Sequence, residues 1–140
     1  MPVLFPNSLM GSASNPSWVR DELILALDLY FRGGRIQLLK RDPRVVELSE
    51  LLRRLPIHPE TERGEGFRNV NSVAMKVANF ASIDPDYPKA GLSTGGKLDR
   101  VVWGEYSTDP RLLTSTAAAI RKAAWGGRPR RGSCRRQSGR

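Results

Sequence analysis

A chain of 140 residues with 39% hydrophobic and 26% charged side chains can build one modest core, and no apolar run reaches the roughly 18 residues of a membrane span. One cysteine, Cys134, and one histidine, His58, exclude an internal disulfide and a His/Cys metal cluster within one copy. The formal charge of +9 is uneven: six arginines and no acid lie in residues 126–140, which leaves +3 for the first 125 residues. A nucleic-acid partner must therefore be argued from where charges stand, not from their sum.

Residues 1–16, rich in Pro, Ser, Asn and Gly, are expected to form a disordered lead-in. They lack the basic start and unbroken apolar stretch of a secretory signal, so a cytoplasmic location is expected. Ser17 is a candidate N-cap for a first helix that runs to Arg32 and stops at Gly33 and Gly34. Its apolar residues cover nearly the whole circumference, leaving a strip of Asp21, Asp28 and Arg32, so this helix is expected at the centre of the fold. Asp42 followed by Pro43 marks the start of a second helix. There Val45, Leu48, Leu51, Leu52 and Leu55 share one face, with Glu47, Glu50, Arg53 and Arg54 opposite, until Pro56. Residues 56–66 carry too much Pro, Gly and charge for anything but a loop.

The stretch FRNVNSVAMKVANF, residues 67–80, predicts a third helix capped by Asn69 or Asn71. Val73, Ala74, Val77, Phe80 and Ala81 fall on a core side; Ser72, Met75, Lys76 and Asn79 fall on the other. Amides can pair with adenine, lysine with guanine or phosphate, and an exposed methionine with a thymine methyl. Arg68, Asn69 and Asn71 stand at the helix start, where backbone N–H groups favour a phosphate. The DNA-contact expectation is thus Arg68, Asn69, Asn71, Ser72, Lys76 and Asn79; the bland alternative is a solvated polar face. A short helix around Val101, Val102 and Trp103 follows, then a last one over 110–124, opened by Asp109 and Pro110. Leu113, Ala117, Ile120 and Ala124 face its core side. The fold class expected is mainly α: a compact domain over residues 17–125 with four or five helices. A short β-hairpin at residues 91–96 would make it like a winged helix. A disordered Arg-rich tail over 126–140 would add salt-sensitive affinity for nucleic acid.

Other constellations carry less. Gly91, Gly96 and Lys97 have the spacing of a phosphate loop, but Leu98 stands where Ser or Thr would hold Mg²⁺, and no buried strand precedes. Lys89, Lys97 and Arg100 remain as weaker contacts to a nucleic-acid backbone. Asp84 and Asp86 are read as Asx turns around prolines, and His58 as surface filler between prolines. Trp18, Tyr30, Phe31, Phe67, Phe80 and Trp103 are read as core. No nucleophile, base and orienting group can be drawn together, so no enzyme, metal or cofactor is expected.

Five blocks in order, WVRDELILALDLY from Trp18, VELSELLRRLP, FRNVNSVAMKVANF, IDPDY and GLSTGGKLDRVVWGEY, resemble the N-terminal head domain of McrA-like, modification-dependent HNH restriction endonucleases. The resemblance spans residues 17–124. In that family the head precedes domains that recognise modified DNA, such as 5-methylcytosine or phosphorothioate, and then an HNH nuclease. An HNH site needs several histidines, and this chain has one. The resemblance therefore implies a head without the nuclease, a truncated relative or an accessory that binds or positions DNA. Its rival is a protein–protein docking module that packs on other nuclease domains or subunits, or a remnant without function.

Overall fold

The computed structural model describes residues 15–87 and 96–126. The lead-in over 1–14, the hairpin expected at 91–96 apart from Gly96, Lys89, and the tail beyond Gly126 lie outside the described residues. Among those described the secondary structure is helical, without strands: α1 (Arg20–Arg32), α2 (Pro43–Arg54), α3 (Val70–Ile83), α4 (Lys97–Tyr106) and α5 (Pro110–Gly126), with a 3-10 turn at Glu60–Glu62. No helix in them is long and apolar enough to cross a membrane.

Helix α1 is the axle on which α2, α3, α4 and α5 all pack, and every residue from Glu22 to Tyr30 is buried. Its near-continuous apolar circumference requires this, because each exposed Leu or Ile would forgo about 1.5–3 kcal/mol of transfer free energy. The helix begins two residues after the expected Ser17. Val19 is the N-cap, and the Glu22 carboxylate accepts the Val19 N–H at 3.0 Å. At the other end Gly34, at φ +91°, turns the chain so that the Arg35 N–H reaches back to the Tyr30 carbonyl at 2.9 Å.

The five apolar residues expected to face inward from α2 are all buried. Asp42 accepts the Arg44 N–H at 2.9 Å with Pro43 behind it, and the Arg44 guanidinium holds the Asp42 carboxyl down at about 2. The last turn of α2 is closed from a distance. The Arg63 guanidinium donates to the carbonyls of Arg53, Leu55 and His58 at 2.8, 3.1 and 3.0 Å, and lies over the Phe67 ring. Helix-end carbonyls that the helix cannot satisfy itself are thereby paired. Helix α5 buries Leu113 and Ala117 against α1 and α4, with Ile120 and Ala124 partly covered.

Candidate nucleic-acid interface

Asn69 caps α3: its Oδ1 accepts from the Ser72 N–H at 2.9 Å and from the Ser72 hydroxyl at 3.1 Å. Both side chains are half-buried and occupied with each other. Four of the five expected core residues of α3, namely Val73, Val77, Phe80 and Ala81, are buried, and Ala74 is half-buried. The opposite stripe is far less open than its pattern suggests. Asn79 is half-buried, while Asn71 and Met75 are exposed. Lys97 and Arg100 are exposed on the first turn of α4.

Arg68 corrects the expectation most strongly. It is 2% exposed, and its guanidinium grips the Glu22 carboxylate in a fork, Nε to Oε2 at 2.8 Å and Nη2 to Oε1 at 3.0 Å. The same group donates to the Ser17 carbonyl at 3.3 Å and lies 4.6 and 4.7 Å from the ring centres of Phe67 and Trp18. Its backbone takes φ +48°, a left-handed conformation costing a non-glycine residue about 1–2 kcal/mol. A bidentate ion pair in low dielectric offsets that cost. His58 completes the knot, with Nε2 3.0 Å from Glu22 Oε1. Arg68 Nη2 lies 3.2 Å from the same ring nitrogen, so the histidine, the arginine and the carboxylate meet at one point. This histidine is therefore buried structure, not surface filler. Burial alone would push the Glu22 carboxyl up, but the hydrogen bonds from Arg68, His58 and the Val19 N–H outweigh it and hold the group below its ordinary value.

Three further buried carboxylates follow the same rule. Asp84 is gripped by Arg35, Nε at 2.9 Å and Nη2 at 2.6 Å, and accepts the Tyr30 hydroxyl at 2.8 Å. Arg35 is the other non-glycine residue with positive φ, +59°, and its guanidinium lies over Phe31 and Trp103. The Asx turn expected at Asp84 is present as the Asp86 N–H to Asp84 Oδ1 bond of 2.8 Å, but the carboxylate also anchors this interior pair. Burial favours the neutral acid at Asp84, and the hydrogen bonds from Arg35, the Asp86 N–H and Tyr30 overcome it, so its carboxyl too is held low. Asp28, expected on an exposed strip, is buried beneath Arg32 and Arg121 at 2.9 and 3.2 Å.

Asp99 is the fourth, and it disposes of Lys76. Lys76 Nζ lies 3.3 and 3.2 Å from the two Asp99 oxygens and 5.4 Å from the Trp18 ring centre. Its side chain is 15% exposed. Helix α4, whose start Asp99 caps through the Gly96 N–H, brings that carboxylate to α3. The lysine expected to face an external anion thus neutralises an internal one.

What remains open is a groove of about 590 Å³ between residues 37–41 and the outer side of α3. Asn71, Ala74, Met75 and Ala78, at helical spacing, form one wall. Leu39, Lys40 and Arg41 stand on the other, with Gln37. Leu38 points into the core at 4% exposure, whereas Leu39 is 73% exposed and Met75 58%. Among the described residues no carboxylate lines the groove and none pairs with Lys40 or Arg41. The nearest acid in sequence, Asp42, is taken by Arg44 and the start of α2. Of the six residues expected to contact DNA at and along α3, Asn71 alone lines this groove. A short linker shows no periodicity, so pattern alone does not single out Gln37, Leu39, Lys40 and Arg41. Their one signal was an apolar pair, Leu38 and Leu39, followed by two cations.

Among the described residues no three His, Cys, Asp or Glu side chains converge as metal ligands. The groove offers amides, cations and apolar walls, a set suited to binding. Searches of family models, curated proteins and solved structures find no match to this chain.

Proposed function

We propose that this chain is a helical module that engages DNA in the cytoplasm without chemistry of its own, as its resemblance to the head domain of McrA-like HNH endonucleases implies. Its contact face is the groove between residues 37–41 and α3. One observation carries the reading: Lys40 and Arg41 stand with Gln37 and Asn71 around a surface that no acid among the described residues lines. Cations that no internal carboxylate claims are the ones a phosphate backbone can use, and the amides lie where base edges could be read. Lys97 and Arg100, with Lys89, supply a second and weaker backbone contact.

The test is duplex binding by the full chain across a salt series, compared with the Lys40→Ala/Arg41→Ala variant. Loss of two phosphate contacts lowers the slope of log K against log salt by about 2, and affinity at moderate salt falls at least about tenfold. An unchanged slope and affinity would leave binding to the arginines of the tail and remove the groove from the account. A second reading, docking onto other domains or subunits of a nuclease, is favoured by the apolar part of the groove, where Leu39 and Met75 are exposed together.

A further inference from the structure

A thymine methyl of a duplex could meet Met75, but one methyl does not cover both apolar walls of the groove. A duplex offers phosphates and the edges of its bases, whereas the faces of its bases are covered by stacking. Leu39 and Met75 nevertheless stand 73% and 58% exposed on opposite sides of the groove. On the α3 wall beside Met75, Ala74 and Ala78 have side chains of one carbon, which leaves room in the groove. Apolar surface of this kind is gained back when a flat apolar face covers it.

Resting on the reading above, we propose that the groove takes an unpaired nucleotide of single-stranded DNA. The base lies between Leu39 and Met75, and the flanking phosphates meet Lys40 and Arg41. Each element of the groove then has a partner. An unpaired base presents an apolar face to the leucine and the thioether, and free edges to the amides of Gln37 and Asn71, which both donate and accept. The anionic backbone meets a rim without carboxylates. Among the described residues no aromatic ring lines the groove, so the base is held by aliphatic and sulfur contacts, weaker than the stacking platforms of dedicated single-strand binders. The expected preference is accordingly modest and tolerant of base identity. An acidic peptide could meet the two cations and the amides, but its carboxylate side chains offer nothing apolar to Leu39 and Met75.

The experiment measures binding of the full chain to a fluorescent twelve-nucleotide single strand and to the same sequence as a duplex, at one salt concentration. The wild type, Leu39→Ser/Met75→Ser and Lys40→Ala/Arg41→Ala are compared, with thermal unfolding as the check on folding. The wild type is expected to bind the single strand at least about fivefold more tightly than the duplex. The serine variant loses that preference at unchanged melting temperature, and the alanine variant weakens both forms. Equal binding of the two forms, or a preference that survives in the serine variant, overturns the single-strand assignment, while weakening by the alanine variant keeps the DNA reading. If neither variant alters either form, both proposals fail and the groove faces protein.

Discussion

Arg68 and Arg41 both stand close to the first turns of α3, and their fates are opposite. Arg68 precedes the cap of α3, is sealed from solvent and spends its guanidinium on Glu22. Arg41 lines the groove on the outer side of the same helix, exposed, with no carboxylate partner among the described residues. The difference lies in what the core contains, not in the arginines. Helix α1 carries Glu22 and Asp28 into the interior, and Asp84 and Asp99 are buried at the start of the turn after α3 and in the first turn of α4. A buried carboxylate costs several kcal/mol unless a cation reaches it. Arg68, Arg35, Lys76 and the Arg32/Arg121 pair are drawn inward for this purpose. A cation is available to an external polyanion only after these demands are met.

The largest effect that separates the two arginines is on stability. Arg68→Ala is expected to cost about 3–5 kcal/mol in urea unfolding, because Glu22 is left buried without its partner, while Arg41→Ala stays within about 0.5 kcal/mol. Equal effects would break the comparison. Acid tests the same pairs without mutation. Glu22 and Asp84 have folded values held below their ordinary 4.5 and 3.8, so the folded state binds fewer protons there than the unfolded chain. Their contribution is fully present above about pH 5 and is lost as pH falls through 4 toward the folded values. A melting temperature that stays flat from pH 6 to pH 3 would contradict the pairing.

Lys76→Ala sharpens the comparison on α3 itself. From its position on a polar stripe it is expected to leave stability nearly unchanged, but stripping Asp99 of its partner should cost about 1–3 kcal/mol. Gly66→Ala follows at about 1–2 kcal/mol. Gly66 has φ +74°, and an added Cβ would meet the Asn69 amide, which caps α3, at 2.9 Å. Smallest of all, Asn71→Ala should shift the melting temperature by an amount near the error of measurement, and its effect is to be sought in nucleic-acid affinity.

The contrast extends to how much the sequence disclosed. Helix α2 was legible almost residue by residue, since one face of five aliphatic residues has only one place to go. The caps at Asp42, Asn69 and Asp109 were legible too, because their acceptor side chains satisfy N–H groups a few residues away, within the same segment. The candidate site was not. Local pattern places Lys76 on the outer stripe of α3 and Arg68 at its start, but their partners, Asp99 and Glu22, lie 23 and 46 residues away in the chain. His58, between two prolines, gave no local sign that Glu22 would meet it.

Local spacing alone therefore determined that the described residues are helical, where α2 and α5 begin and which aliphatic face of α2 enters the core, since a helix period and a cap act over four residues or fewer. Which charges face water was decided only when α1 and α4 brought their carboxylates against α3. Electrostatic pairing in the interior depends on distance through space, and burial makes the choice of partner costly to leave unmade.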